Sequence, residues 1–234
     1  MKKLLFVLLF FPAIVGAAGR NINGTTGYIV MPNGEGLRFQ QYNLGLSSFS
    51  GTEEIQSHWK YNMGLGWAEW IEVTFQGRSE REGLYLNLKW FGTLNDYEDP
   101  LYVAIGFENL SSMGTFQDNP DMYMVTTKKF QGGHSFSLGF VGRYVGREVV
   151  ASAMCGGEYY TSEYLSWLAD VVAYDGNKYN LNAGVRVYTS DTMYFNFMLV
   201  NMVHSRITQI DENGKEVELN PLYGMLGMTI TDFM

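Results

Sequence analysis

Cysteine is almost missing from this chain: of 234 residues, only Cys155 carries a thiol. An internal disulfide is therefore excluded, and a cysteine so far from the N-terminus cannot carry an N-terminal lipid by the usual route. It reads as a small apolar residue within a strand. Charge is scarce too, with Asp, Glu, Lys and Arg making up 17% of the residues against about 25% in ordinary soluble domains. His58, His134 and His204 are widely separated, and His134 beside Ser135 lacks a third orienting group. No His or Cys cluster has metal-ligand spacing, and neither a nucleophile elbow nor a phosphate-binding loop is present. Glu72, Glu108 and Asp170 could supply a glycosidase-type carboxylate pair, but nothing in a sequence sets their separation. These absences argue against an enzyme and imply no metal and no cofactor.

A long hydrophobic run is the next absence. No segment offers the roughly 20 uninterrupted apolar residues of a membrane-spanning helix. The run from Leu4 in "MKKLLFVLLFFPAIVGAAGR" follows two lysines and ends in small residues, with cleavage expected after Ala17 or Ala18. That is the grammar of a secretory signal peptide. Residues 1–18 are thus read as a leader and residues 19–234 as one exported domain. The formal charge of −8 becomes about −10 without Lys2 and Lys3, which argues against nucleic acid as a partner.

Aromatic side chains are plentiful, at 15% of the residues, and they alternate with small or polar ones. In "IQSHWKYNMGLGW" (55–67), Ile55, Trp59, Tyr61, Met63, Leu65 and Trp67 share alternate positions. A helix would scatter them around its axis, whereas a strand puts them on one face. "WIEVTFQG", "LYLNLKW", "LYVAIGFE" and "SFSLGFVGRYV" repeat the pattern, and an Asp-Gly pair at 175–176 marks a hairpin. Twelve to fourteen strands of 8 to 12 residues are read, with hairpin repetition rather than a motif of fixed period. Among them, "LRFQQYNLGLSSF" (37–49) is read as one strand, 148–155 as a weaker one, and "SRITQIDENGKEVEL" as a hairpin. "GTTGYIVMPNGEG" (24–36) gives a short apolar stretch ended by Pro32 and a turn.

A soluble sandwich or barrel would carry Lys and Glu on its second face. Here that face reads Asn, Gly, Ser, Gln and Tyr, with about one charge per strand: Lys60, Glu72, Lys89, Glu108, Arg143, Asp170 and Arg186. Four basic and three acidic groups nearly cancel, as a confined interior demands. The pattern predicts an all-β fold, a single closed antiparallel transmembrane β-barrel of about 12 strands (range 10–14), with the apolar face in lipid. The seven charges, with Tyr85, Tyr102, Tyr174 and Tyr188, are expected to line the lumen. Trp59, Trp67, Trp70 and Trp90 are expected at the membrane interfaces. The terminal "LYGMLGMTITDFM" resembles the assembly signal of outer-membrane barrels, with Phe233 followed by Met234. A soluble periplasmic β-barrel binding protein is the alternative architecture.

Several stretches resemble the YjbH-like family of outer-membrane β-barrel proteins linked to exopolysaccharide production. "GTTGYIVMPNGEG" is similar to that family's opening Gly, Thr-Gly and Pro pattern, and "NLKW" (87–90), "DPLYVAIGFENLSSMGT" (99–115) and "YMVTTKKF" (123–130) are similar to its middle. "CGGEYY" (155–160) has Cys155 where the family has Phe. "VVAYDGNKYNLNAGVRVY" (171–188) resembles its Tyr-Asp-Gly and Asn-x-Gly signature, with Ala173 where the family has Glu. The resemblance implies the outer membrane of a Gram-negative-type bacterium. It also implies a part in exopolysaccharide export or surface assembly, as accessory or pore, with outer-membrane lipid, polysaccharide and other secretion proteins as partners. It brings no catalytic residues. A structural or adhesive barrel without transport is the alternative function.

Overall fold

The computed structural model describes residues 19–51, 58–79, 81–95, 100–111, 120–145, 148–174, 178–204, 208–210, 216–218 and 222–234. The expected leader, residues 1–18, lies outside them.

Strands form wherever the sequence alternates. They are β1 (Gln41–Gly51), β2 (His58–Ala68), β3 (Ile71–Arg78), β4 (Arg81–Asn95), β5 (Leu101–Ser111), β6 (Asp121–Lys129) and β7 (Ser135–Val145). They continue with β8 (Glu148–Ser162), β9 (Leu165–Tyr174), β10 (Lys178–Tyr188), β11 (Met193–His204), β12 (Thr208–Ile210), β13 (Glu216–Glu218) and β14 (Tyr223–Phe233). Twelve of them close into one barrel, each antiparallel to its neighbours, and β12 and β13 pair as a separate hairpin. Closure is made by β1 and β14, paired from Gln41↔Phe233 to Gly51↔Tyr223. Among the described residues the barrel itself has no sheet edge, so its ladder of backbone hydrogen bonds is completed within the wall, as hydrocarbon requires.

The two faces are opposite in character. Along β6, Asp121, Tyr123, Val125 and Thr127 are buried while Met122, Met124 and Thr126 are exposed. Leu138 and Phe140 on β7 are 54% and 61% exposed, whereas Glu72, Lys89, Asp170 and Arg186 are buried almost completely. The greasy rows look outward and the polar rows inward, the arrangement of a lipid-embedded barrel.

Both strand termini of the seam, Gln41 and Phe233, lie at one end. That end carries the connections 69–70, 96–100, 130–134, 163–164 and 189–192; the other carries 52–57, 79–80, 112–120, 146–147, 175–177 and 205–222. Short turns face the periplasm and longer loops the outside in such barrels, which orients the molecule. The 130–134 turn places Gly132 and Gly133 at φ +85° and +86°, a backbone that a β-carbon would strain.

Three sequence expectations need correction. Leu37 to Gln40 are not strand: β1 starts at Gln41, and Leu37 is fully buried inside the barrel. The weaker strand at 148–155 is part of the 15-residue β8, which runs on through the "CGGEYY" stretch. The inner face is not uniformly polar either. Val125, Met154, Leu168, Val172, Met198, Val200 and Met225 form a buried apolar sector around Tyr28, Ile29 and Met31.

Two bulges stand on opposite walls. Asn109 in β5 and Asn201 in β11 adopt φ of 61° and 59°, and the strand registers shift beside both. Each donates its amide N–H to an inward asparagine of the preceding strand, Asn87 Oδ1 or Asn182 Oδ1, at 2.8 Å in both cases. The registers agree around them: Tyr102 of β5 faces Thr127, and Tyr194 of β11 faces Thr229. β5 and β11 lie six strands apart in a ring of twelve, directly across the lumen from each other.

Candidate functional site

The lumen is occupied by the chain's own N-terminal segment. Residues 19–37 precede β1, make no strand of their own, and are held by the isolated bridges Arg20↔Thr26 and Gly27↔Pro32. Tyr28, Ile29, Met31 and Leu37 have no solvent exposure. The segment folds into two tight turns, each with a local cause. In the first, Asn21 Oδ1 accepts the amides of Asn23 and Thr25 at 3.0 and 3.1 Å, an Asx-type turn. In the second, Tyr28 N–H bonds to Met31 O at 2.9 Å and Pro32 follows, which ends any strand propensity of "YIVM".

Four wall carboxylates organise the site. Glu72 accepts from Arg20 Nη1 at 2.8 Å, from Thr26 N–H and Oγ1 at 3.0 and 2.9 Å, and from Leu37 N–H at 3.0 Å. Asp170 Oδ2 receives three successive backbone amides, Ile29, Val30 and Met31, at 2.9, 2.8 and 2.9 Å, while its Oδ1 takes Asn182 Nδ2 at 2.6 Å. Consecutive amides converging on one oxygen make a nest, a concave anion site; here the anion is supplied by the wall. Glu108 accepts from Asn21 Nδ2 and Asn23 Nδ2 at 3.0 and 2.7 Å. Glu158 receives Arg186 Nη1 at 3.2 Å, Tyr188 Oη at 2.9 Å and Ser166 Oγ at 2.5 Å.

Wall donors complete the grip. Lys89 Nζ donates to Thr26 O at 3.0 Å and also to its hydroxyl. Asn87 Nδ2 reaches Asn23 O at 2.6 Å, and Arg186 Nη2 reaches Arg20 O at 3.2 Å. Tyr28 Oη lies 2.7 Å from Ser137 Oγ, and Gly34 N–H bonds to Thr127 Oγ1 at 2.6 Å. Nearer the periplasmic mouth, Lys129 pairs with Glu35 at 2.6 Å. Space for the second turn is left by Gly156 of β8, where a β-carbon would come within 2.8 Å of Asp170 and 2.9 Å of Tyr28.

Of the residues singled out by strand parity, Lys60, Glu72, Lys89, Glu108, Asp170, Arg186, Tyr85 and Tyr188 are buried, while Arg143 and Tyr102 are half-buried. Glu72, Lys89, Glu108, Asp170 and Arg186 converge on the plug. Lys60 lies 4.7 Å over the Phe49 ring, and Arg143 pairs with Asp121 at 2.9 Å, both toward the outer end. The Tyr174 side chain lies outside the described residues. Trp59, Trp67, Trp70 and Trp90 are exposed on the outer surface; Trp59 is toward the outer end, and Trp67 and Trp70 flank the periplasmic β2–β3 turn. Sequence reasoning missed Arg20, Asn21 and Asn23, which belong to the plug, and also Glu158. His134 is structural: its ring stacks on Tyr159 at 4.5 Å and its Nδ1 accepts the Tyr160 amide. Among the described residues, no cluster of three His, Cys, Asp or Glu side chains could hold a metal ion.

No protein-family model matches the chain, and no curated protein matches it in sequence. Its fold is similar to that of an outer membrane channel from Pseudomonas putida F1, with a TM-score of 0.53 at 10% identity over 87% of this chain and 100% of that one. Weaker likenesses are to the outer membrane protein Omp33 of Acinetobacter baumannii (TM-score 0.45, 9% identity, 86% of this chain and 100% of that one) and to OmpT, an outer membrane protein of Vibrio cholerae (0.41, 6%, 82% and 96%). A closed twelve-strand barrel with an apolar outward belt and a polar interior defines an outer-membrane β-barrel protein. Within that class it is a plugged barrel.

Proposed function

We propose that this barrel is a non-enzymatic accessory of exopolysaccharide export or surface assembly, of the YjbH-like kind, with a lumen shut at rest by residues 19–37. One observation carries the reading: the stretches that resemble the YjbH-like family include the plug and several of the residues that hold it. "GTTGYIVMPNGEG" is the plug itself. "NLKW" holds Asn87 and Lys89, the "FENL" portion of the 99–115 stretch holds Glu108 and Asn109, and the 171–188 stretch holds Asn182 and Arg186. The resemblance to a polysaccharide-linked family thus takes in the segment that fills the lumen. A non-enzymatic role is supported by the carboxylates: Glu72, Glu108 and Asp170 are each engaged by the plug, leaving none facing a substrate cleft.

The role is tested by deleting the gene in its host and measuring surface and released polysaccharide. Reduced or mislocalised polymer, restored by the intact gene, is the expected result. Unchanged polymer in the deletion strain would overturn the reading.

A further inference from the structure

We infer that the inner wall is a chain-binding site which the N-terminal plug and a neutral, N-acetylated amino-sugar chain occupy in turn, the plug being an internal stand-in for the polymer. The inference rests on the polysaccharide reading above and names the class of chain. The wall reads the plug mainly through its backbone. Glu72, Asp170 and Thr127 accept the amides of Thr26, Ile29, Val30, Met31, Gly34 and Leu37, and Lys89, Asn87 and Arg186 donate to carbonyls of Thr26, Asn23 and Arg20. Backbone recognition is indifferent to side-chain identity. A polymer that carries an N–H, a C=O and hydroxyls on each unit offers the same donors and acceptors.

Loss of the plug hands its carboxylate partners Glu72, Glu108 and Asp170 over to water entering the lumen. A donor-rich chain that enters can displace that water and take over the same oxygens. The charge of the wall selects the newcomer. Arg20 and Glu35 both leave with the plug, so the wall that held it keeps Lys89, Lys129 and Arg186 against Glu72, Glu108, Glu158 and Asp170. Four acidic groups facing three basic ones disfavour a polyuronate and favour a neutral chain.

The test uses refolded protein in planar bilayers, with the hexamers of N-acetylglucosamine and of galacturonate as probes. The intact chain is expected to show no conductance steps. Two variants dislodge the plug by different routes: deletion of residues 19–36, and Gly156→Leu, whose side chain fills the space of Tyr28. Folding of each is read from heat-modifiable gel migration. Either folded variant should conduct, and the N-acetylglucosamine hexamer at about 1 mM, the weak-binding regime, should reduce the current by about half or more while the galacturonate hexamer leaves it unchanged. Silent folded variants, equal block by both oligomers, or no block by the neutral one would each overturn the inference. So would failure of both variants to fold, because the plug would then be an irreplaceable core. Unchanged polymer in the deletion strain together with selective block would instead sink the export role and leave the binding site standing.

Discussion

A single oxygen, Asp170 Oδ2, fixes the second turn of the plug by taking three backbone amides. Hydrogen bonds to a charged acceptor contribute about 1.5–3 kcal/mol each way of counting, and unpairing buried donors costs more. Asp170→Asn keeps the shape but removes the charge and is expected to destabilise the barrel by about 3 kcal/mol, read from guanidinium unfolding in lipid vesicles. A loss below about 0.5 kcal/mol would show that the turn is not anchored there. The partner of Asp170 was not legible in the sequence. The residues it binds lie 139 to 141 positions earlier, and a strand pattern carries no information at that separation. What was legible was local: the alternation that sets Asp170 apart from the outward Trp167 and Ala169 neighbours.

At the scale of elements, the paired bulges give the plug two rigid supports. Asn87 and Asn182 each bind a left-handed asparagine with one end of the amide and the plug, or its anchor Asp170, with the other. A β-branched residue at a left-handed position costs about 1–3 kcal/mol, whereas glycine fits there readily. Asn201→Val is therefore expected to lower stability by about that amount and Asn201→Gly by about 0.5 kcal/mol or less, measured by the same unfolding assay; equal effects would contradict a left-handed bulge. The correspondence between "GFENL" and "MLVNM" was in the sequence but not at one period. The offset is 92 residues for the bulges and 95 for the clamping asparagines, because the two halves have turns of different length. The inward apolar sector had a visible signal as well: "VVA" (171–173) and "FMLV" (197–200) are apolar on consecutive positions, the mark of a strand with apolar surroundings on both faces.

The whole molecule obeys the solvent around it. Phe140 lies in the exposed apolar row near the middle of β7, so Phe140→Lys is expected to cost about 2–4 kcal/mol in a bilayer, the penalty of a cation near the midplane of a barrel's lipid face. Retention of wild-type stability in vesicles would show that this face does not meet lipid. The closed twelve-strand barrel was legible because one alternation recurs strand after strand and because charge is missing from one face. The plug was not, since "YIVM" followed by proline looks like a short edge strand; only the closure of the wall reveals that this segment has nowhere to lie but inside.

The β1–β14 seam also sets a chronology. The plug precedes β1, while β14, the strand that shuts the ring, is the last of the described strands. In a finished ring the segment can leave and return only through the periplasmic mouth, past Lys129 and Tyr102, where its link to β1 lies. Its first seating needs no such passage, because the wall can curl around a segment already in place and zip shut over it. Birth of the pore and its corking can thus be one event.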